Sequence, residues 1–503
     1  MSNPTPLENA LKRPHSYGLR QKTGAILGPL VLLTTWIVPA PAGLGDEAWR
    51  TAGVAALMAV WWICESVPIP ITALLPIVLF PVGGLASIRE IMPPYANPIV
   101  FLFLGGFLIA LAMERTQLHR RIAFGLIGIM GLQPRRIIAG FLLTAALLSM
   151  WVSNTATALM MLPIALSVAA LLPRDENDLD ASTPFASALL LAVAYGATTG
   201  GMGTLIGTPP VALLAGFMER SYDITVGFGQ WMLIGVPVVI VALPVVYLVL
   251  TRMSFRIGDE PLHEVGTLIT AEKARLGPFA GPERIVAIVF SLTALAWVFR
   301  PLLAKVIPLI SDTSIAIAGA MVLFMIPDRK RPGQFIMSWD TAKAVPWDVL
   351  LLFGGGLSLA GRIQASGLSV WLGEQATGLH GLPIVLTVGI LCFGILLLTE
   401  LTSNTATAAT FLPVVAAVAI SLGQHPLLLL APTALAANCS YMMPVGTPPN
   451  AIVFGSGAIS LPQMAKTGLW LNLLLVPIIV AVLWILGPTV FGIEINVLPD
   501  WVK

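Results

Sequence analysis

Apolar stretches of membrane-spanning length follow one another along almost the whole 503-residue chain, separated by short polar connections. A helix needs about 20 apolar residues to cross the hydrocarbon of a bilayer. The pattern therefore predicts an all-α integral membrane protein with 11 transmembrane helices. We expect these helices at 24–40, 49–65, 68–83, 98–114, 186–217, 230–251, 284–300, 312–327, 346–361, 428–459 and 468–490, with 186–217 and 428–459 broken in the middle.

Two further apolar stretches, 137–172 and 382–421, carry a Ser-Asn-Thr sequence near their centre. Unpaired backbone groups are costly in lipid, so such an interruption is tolerated only where it is buried in protein or lines a cavity. We therefore expect each stretch to form a re-entrant hairpin, which enters and leaves the membrane on the same side.

The polar interruptions occur twice. Residues 153–158 and 403–408 share the sequence Ser-Asn-Thr-Ala-Thr-Ala, and Gly-Thr-Pro-Pro at 207–210 recurs at 446–449. Duplicated helix breaks are typical of transporters built from internal repeats. We expect an amino-terminal segment with an extra first helix (1–45), a first repeat (46–253), a cytoplasmic linker (254–283) and a second repeat (284–503). Each repeat would hold five helices and one re-entrant hairpin.

The basic residues indicate how the repeats are oriented, because Lys and Arg mark cytoplasmic loops. Six basic residues flank the first hairpin, but the positions 250 residues later hold no basic residue. They are Arg115, Arg120, Arg121, Arg135, Arg136 and Arg174. Conversely, the basic run 329–331 corresponds to the apolar run 79–81. The repeats are therefore expected to be inverted. The amino terminus would be cytoplasmic and the carboxyl terminus periplasmic or extracellular, in a bacterial inner membrane.

Composition excludes several classes of function. Only 10% of residues are charged, against roughly 25% in soluble domains, and a net charge of +2 gives no sign of a nucleic-acid partner. The predicted membrane segments contain no nucleophile–base pair or metal cluster that would suggest an enzyme, and no ring of basic residues that would suggest an anion channel. Cys64, Cys392 and Cys439 lack pairing or ligand spacing, so we expect buried apolar residues.

The helix breaks suggest a binding chemistry. Helix amino termini offer free N–H groups and a partial positive charge to an anion. Freed carbonyls, together with Ser, Thr and Asn oxygens, suit a hard cation such as sodium, by analogy with other oxygen-liganded cations. One pair of motifs in each repeat predicts two cation sites related by pseudo-symmetry, with one anion between them.

These motifs resemble those of a known family. Residues 149–157 and 399–407 resemble the two hairpin tips of the divalent anion:sodium symporter family, 443–454 resembles its signature near the carboxyl end, and 61–70 resembles its early helices. The resemblance covers nearly the whole chain from about residue 30. One position departs from the family pattern. Val211 stands where the family commonly has Asn, whereas the second repeat keeps Asn450.

The resemblance also implies individual contacts. The first sodium would meet Ser149, Ser153, Asn154 and Gly207, and the second would meet Thr399, Thr402, Asn404 and Gly446, partly through backbone carbonyls. The substrate carboxylates would meet Asn154, Thr155 and Thr208 from the first repeat, and Asn404, Thr405, Thr447 and Pro448 from the second.

The family resemblance implies import of a small dianion with two or more sodium ions, by an elevator-type homodimer embedded in lipid. The absence of basic residues from the motifs favours C4-dicarboxylates such as succinate, malate and fumarate over a trianion. A sodium-independent exchanger, or a citrate or sulfate transporter of the same fold, remains an alternative. Glu400, beside the second motif, either tunes cation binding or carries a proton, or is a structural partner of a hairpin donor.

Overall fold

The computed structural model describes residues 18–171, 183–279, 281–375 and 381–502. Residues 1–17, which open the predicted amino-terminal segment, and Arg174, which supported the predicted inversion, lie outside the described residues. Within these residues the fold is helical, as predicted, and the β-type pairing is limited to an isolated bridge between Pro327 and Phe335.

The amino-terminal part of the chain forms twelve helices, followed by one in the linker. They are α1 (Leu19–Ile37), α2 (Asp46–Cys64), α3 (Ile69–Thr72), α4 (Leu75–Val82), α5 (Ile88–Ile91), α6 (Pro98–Arg115), α7 (Leu118–Ile129), α8 (Pro134–Ser149), α9 (Asn154–Ala169), α10 (Pro184–Gly201), α11 (Pro209–Tyr222), α12 (Phe228–Leu248) and, in the linker, α13 (His263–Leu276). A 3₁₀ turn, Pro93–Ala96, precedes α6, and a π-helical turn, Val249–Ser254, continues α12.

The carboxyl-terminal part of the described chain continues with eleven helices. They are α14 (Pro282–Val298), α15 (Arg300–Leu303), α16 (Asp312–Met325), α17 (Trp339–Ala342), α18 (Trp347–Ala365), α19 (Leu368–Gln375), α20 (Ile384–Thr399), α21 (Asn404–Ser421), α22 (Pro426–Asn438), α23 (Pro448–Phe454) and α24 (Leu461–Phe491). A 3₁₀ turn, Asp500–Val502, follows.

The helix ends recur at the spacing of the sequence repeat. The pairs α6 and α18, α8 and α20, and α9 and α21 begin about 250 positions apart. The predicted hairpins correspond to α8 with α9 and to α20 with α21, and the predicted broken spans correspond to α10 with α11 and to α22 with α23. Proline stands at the first helical position of α8, α10, α11, α22 and α23, where its missing N–H has no intrahelical acceptor to lose.

The described helices that are both long and apolar enough to span a membrane are fewer than the spans that the hydropathy pattern predicts. Among the described residues, four helical stretches are each long and apolar enough to cross a membrane, and a bent fifth, α18 with α19, turns by 77° at its break. The four are Ile88–Arg115, Phe228–Ser254, Asn404–Ser421 and Leu461–Phe491. Asn404–Ser421 belongs to a predicted hairpin. Some of the other predicted spans contain shorter apolar helices, such as Pro426–Asn438, whereas α1, α2 and α10 are 18 or 19 residues long but less apolar. The count of 11 spans and the inverted orientation therefore remain predictions.

Two features differ from the expected pattern. The predicted span 68–83 is divided into α3 and α4, since Pro76 has no N–H to donate back to the carbonyl of Thr72. In addition, α7 and α19 follow α6 and α18, again 250 positions apart at their starts. Each is short and follows a turn, and their mixed composition gave no membrane-span signal.

The centre of the molecule is formed by α10 and α22. Every residue of α10 from Phe185 onward is buried, and so is all of α22. Tyr195 of α10 connects this helix to the loop that follows α22. Its hydroxyl donates to the carbonyl of Tyr441 at 2.9 Å, and its ring packs edge-on against the Tyr441 ring at 5.2 Å. Two broken helices thus hold each other in the core, while large apolar side chains such as Leu309 and Ile37 cover the surface.

The predicted orientation can be tested by cysteine labelling. In a Cys64→Ala background, where Cys392 and Cys439 are buried, we expect Asp259→Cys in the linker to react from the cytoplasm. Leu309→Cys, between α15 and α16, should react from outside, because both positions are exposed and an odd number of spans would separate them. A membrane-impermeant maleimide applied to intact cells and to inverted vesicles makes the measurement. Labelling of both cysteines from the same side would contradict this orientation.

Candidate functional site

The two predicted hairpins have similar four-residue breaks at their tips. The first break, 150–153, ends at Ser153, whose hydroxyl accepts a hydrogen bond from the N–H of Ala156 at 3.2 Å and so caps α9. The second break, 400–403, ends at Ser403, and α21 then begins at Asn404. Asn154 and Asn404 are therefore the first residues of two helices that start inside the protein.

The second pair of breaks relies on glycine for close backbone approach. A Cβ on Gly207 would lie 2.4 Å from the carbonyl oxygen of Gly201, and one on Gly201 would lie 2.5 Å from Asn154 Oδ1. A Cβ on Gly446 would overlap the Ser440 hydroxyl. Larger residues would push the broken helices away from the hairpin tips, which explains the glycine of each Gly-Thr-Pro-Pro motif.

All four breaks meet at one cavity of about 850 Å³. Its wall includes every residue predicted to contact substrate, namely Asn154, Thr155, Thr208, Asn404, Thr405, Thr447 and Pro448. Thr208 and Thr447, which precede α11 and α23, have nearly the same backbone conformation, with φ of −147° and ψ of 137° and 144°. The cavity is thus lined by matching elements of the two sequence repeats.

The predicted sodium ligands fall into two groups by depth. Ser153, Asn154, Gly207, Asn404 and Gly446 line the cavity, whereas Ser149, Thr399 and Thr402 lie beneath its wall and are fully or almost fully buried. A buried hydroxyl below a cavity wall is satisfied only by neighbouring protein groups or by a bound ion.

The first oxygen cluster surrounds the Asn154 side chain. Ser149 Oγ donates to Asn154 Oδ1. With the amide turned the other way, its nitrogen donates to the carbonyl of Gly207 at 3.2 Å and to that of Ala197 at 3.1 Å. With the amide oxygen inward, the same atoms form a cluster of four oxygens, which is a ligand set for a hard cation.

The second cluster has the same construction. Thr399 Oγ1 donates to Asn404 Oδ1 at 2.7 Å and to the carbonyl of Ala437 at 2.8 Å. The turned amide of Asn404 donates to the carbonyls of Ala437 at 3.3 Å and Gly446 at 3.1 Å. The carbonyls of Ala197 and Ala437 could not be predicted from the sequence, because any residue type can offer a backbone carbonyl as a ligand. Their place near the ends of two buried helices was the available indication.

Two predicted ligands have hydroxyls that point elsewhere. The Ser153 hydroxyl caps α9, and the Thr402 hydroxyl donates to the carbonyl of Leu398 at 2.9 Å and lies 2.6 Å from the Thr407 hydroxyl. The Ser153 carbonyl also accepts from the N–H of Thr157, at 3.0 Å. The structure thus brings Ser149 and Thr399, but not Ser153 and Thr402, to the clusters through their side chains.

The charge around the cavity is unusual for an anion site. Among the described residues that line it, none is Lys or Arg, while Glu65, Glu114 and Asp348 lie in its wall. Three helices of 14 to 18 residues, α9, α11 and α21, begin at this wall. The first N–H groups of α9 and α21 form the positive end of the site, whereas α11 begins with two prolines and contributes mainly its helix dipole.

Asn438 also lines the cavity, although the sequence analysis did not single it out. Its Oδ1 accepts from the Thr208 hydroxyl at 2.5 Å, and its Nδ2 donates to the carbonyl of Thr198 at 2.7 Å. The side chain therefore ties the first repeat to the second at the level of the anion contacts. An Asn inside a long apolar helix was the signal that could have revealed it.

Glu400 is buried directly behind the second cluster and is surrounded by donors. Its carboxylate accepts from the backbone N–H groups of Tyr441, Met442 and Met443 at 2.8 to 3.0 Å, and from Asn472 Nδ2 at 2.7 Å. The Ser440 hydroxyl donates to it at 3.2 Å. Of the two hypotheses from sequence, this geometry favours the structural partner, although the carboxylate meets the loop after α22 and α24 instead of the hairpin.

Comparison with known proteins agrees with this architecture. The family described as "Sodium:sulfate symporter transmembrane region" matches residues 21–493. A "Sodium-dependent dicarboxylate transporter SdcS" of Staphylococcus saprophyticus is 42% identical over 492 residues, covering 96% of this chain and 95% of the relative. The protein of the same name from Staphylococcus aureus is 44% identical over 496 residues, covering 96% and 94%. These relatives are named as transporters, not enzymes.

Solved structures share the fold at low sequence identity. The Alcanivorax borkumensis YdaH transporter aligns with a TM-score of 0.55 and 15% identity, covering 95% of this chain and 99% of its own. Neisseria gonorrhoeae MtrF aligns with a TM-score of 0.53 and 11% identity, covering 94% and 95%. At these identities the likeness concerns the fold alone.

The donors around Glu400 predict what its loss would do. In Glu400→Gln an amide nitrogen would face backbone N–H donors, so we expect a loss of about 3 kcal/mol of stability, at roughly 1.5–3 kcal/mol for each charge-assisted bond. The thermal midpoint of the purified protein measures this. Glu264→Gln, an exposed carboxylate on α13, is the matched control. Equal midpoints in both variants would show that the carboxylate does not hold the loop.

Proposed function

Because this chain belongs to the sodium:sulfate symporter family, which is the divalent anion:sodium symporter family, we propose that it imports C4-dicarboxylates together with sodium. Succinate, malate and fumarate are the expected substrates. The observation that carries the proposal is the pair of four-oxygen clusters, 250 positions apart in their side-chain ligands, beneath one cavity. The names of the two staphylococcal relatives support it.

Each oxygen cluster is proposed to hold one sodium ion. With a cation bound, Asn154 and Asn404 turn their amide oxygens inward, since the ion takes over the carbonyls that the amide nitrogens otherwise satisfy. The hydroxyls of Ser149 and Thr399 rotate their protons away and add an oxygen to each site. The amide nitrogens then face the cavity, where they donate to a carboxylate. The same two side chains therefore serve both ion and substrate.

The anion is proposed to lie between the two clusters. Its carboxylates would meet the amides of Asn154 and Asn404 and the hydroxyls of Thr155, Thr208, Thr405 and Thr447, and would pack against the ring of Pro448. No cationic side chain lines the cavity within the described residues. The two sodium charges and the helix amino termini must therefore balance the charge, which suits a dianion better than a trianion such as citrate.

The direction of opening follows from the cavity mouth. Glu65 directly follows α2 and Asp348 is in the first turn of α18, and the proposed topology assigns both of these helix ends to the cytoplasm, so this conformation is proposed to face inward. On the same side, Arg20 of α1 donates to the carbonyl of Leu401 at the second hairpin tip, at 2.8 Å, and to Ile63 at the end of α2. This contact would break when the hairpins move outward. We propose an elevator-type motion within a homodimer in the inner membrane.

Removing one cluster oxygen should weaken sodium binding. We expect Ser149→Ala and Thr399→Ala each to raise the sodium concentration for half-maximal succinate uptake by roughly five-fold, since one lost contact costs on the order of 1 kcal/mol. Uptake into proteoliposomes over a range of sodium concentrations measures it. Ser167→Ala and Thr410→Ala are controls, because these hydroxyls bond only to their own helices. Unchanged sodium dependence in both cluster variants would refute the sites.

Shared ligands predict coupled affinities. By linkage, sodium must raise succinate affinity by the factor by which succinate raises sodium affinity. In Asn154→Ala or Asn404→Ala we expect both affinities to fall together, because one side chain contacts ion and anion. Succinate binding to purified protein, titrated at several sodium concentrations with choline as replacement, makes the measurement. If succinate binding does not depend on sodium and dicarboxylate exchange persists in choline, the symport proposal is wrong and the exchanger is favoured.

A further inference from the structure

A second polar cavity, of about 180 Å³, lies where the end of α6, the start of α14 and the turn after α16 meet. None of its described wall residues belongs to the four helix breaks. We call it the basic cavity. Its charged wall residues are Arg115, Arg121, Glu283, Asp328, Lys330 and Arg331. Four cationic side chains thus face two carboxylates, which leaves an excess of two positive charges around a cavity whose outer rim is formed by the exposed Lys330 and Arg331.

The two carboxylates are already engaged by protein groups. Arg121 binds Glu283 through two nitrogens, with Nη2 at 3.1 Å from Oε2, and also donates to the carbonyl of Gly277 at 2.9 Å. Asp328 Oδ1 accepts from the backbone N–H of Lys330 at 2.8 Å, within the turn. Neither carboxylate is therefore free to neutralise the remaining cations.

Three cations lack a full set of acceptors. Arg115 Nη2 donates to Gln334 at 2.9 Å, but its Nη1 is buried and has no partner within the described parts of the chain. Across the same described ranges, the side chains of Lys330 and Arg331 make no ion pair or hydrogen bond to protein. A buried guanidinium nitrogen without an acceptor is costly, and an anion in the adjoining cavity would offset part of the uncompensated charge on Arg115.

We propose that the basic cavity binds a phosphate group. A guanidinium presents paired donors that match two phosphate oxygens, and Lys adds a compact charge. The excess of two positive charges in the wall equals the charge of inorganic phosphate or a phosphate monoester as a dianion, and it is more than enough to neutralise the single charge of a phosphodiester headgroup. The group can belong to an anionic phospholipid, because basic pockets at the cytoplasmic ends of membrane helices accept such headgroups. It can equally belong to a soluble phosphate compound.

The position of the basic cavity connects it to the central cavity. Arg115 is the last residue of α6, and the preceding residue, Glu114, lies in the wall of the 850 Å³ cavity together with Phe107 and Leu111 from the same helix. An anion bound at Arg115 therefore fixes the end of a helix that forms one side of the central cavity. This gives a bound phosphate group a route to change the rate of transport.

The test uses the purified full-length protein and two probes, inorganic phosphate and short-chain phosphatidylglycerol, with chloride at matched ionic strength as the reference. Thermal midpoints are measured for the wild type, for Lys330→Gln/Arg331→Gln and for Arg329→Gln. Arg329 is the matched control, since it has the same charge and is exposed on the same turn but does not line the cavity. Binding is measured without transport, so its failure is distinguishable from failure of the proposed function.

We expect at least one probe to raise the midpoint of the wild type and of Arg329→Gln by about 2 °C or more, and to leave Lys330→Gln/Arg331→Gln unchanged. A rise with the lipid alone identifies a headgroup site, and a rise with inorganic phosphate alone identifies a soluble ligand. No rise with either probe would overturn the proposal. An equal rise in all three proteins would also overturn it, because a general surface charge or the central cavity would then explain the effect.

Discussion

A helix that stops inside a membrane leaves up to four backbone groups at its end without partners, and no water is present to satisfy them. The rest of this structure depends on that constraint. Four helix breaks meet at one place, so that the carbonyls freed at Ala197, Gly207, Ala437 and Gly446 point at the asparagines that begin α9 and α21. Any ion site that forms here results from the way in which the polar groups of the broken helix ends pair with one another.

The two repeats meet this constraint with different chemistry. In the second repeat, Glu400 gathers three backbone N–H groups of the loop after α22, and Asn450 donates to the carbonyls of Ser440 and Met443. In the first repeat, Met150 stands in place of Glu400 and Val211 in place of Asn450. There the Thr204 hydroxyl links the loop to the carbonyl of Met150 at 2.5 Å. Val211 thus lacks the side-chain hydrogen bonds that Asn450 makes, and the Thr204 hydroxyl holds the corresponding loop of the first repeat instead.

Side-chain motifs and breaks could be predicted from the sequence because they contradict their apolar surroundings. Polar or helix-breaking residues stand out in an apolar segment, as do Asn154, Asn404 and the two Gly-Thr-Pro-Pro motifs. The structure brings these residues to one cavity. Backbone ligands could not be predicted, since Ala197 and Ala437 look like any other core alanine. The backbone donors of Glu400 also escaped prediction, because they lie 41 to 43 residues away on a loop whose path only packing determines.

The cavity charge explains why ion and anion must act together under the proposed function. With carboxylates at Glu65, Glu114 and Asp348 and no basic lining residue in the described chain, the unloaded cavity repels a dianion. Moving such an anion out of water is costly unless an opposite charge compensates it. Two sodium ions beneath the wall supply that charge without any permanent cation. A fixed arginine would hold the anion in every state, whereas a removable ion lets the same wall bind and release it. Sodium dependence then follows from a wall that has no fixed positive charge within the described residues.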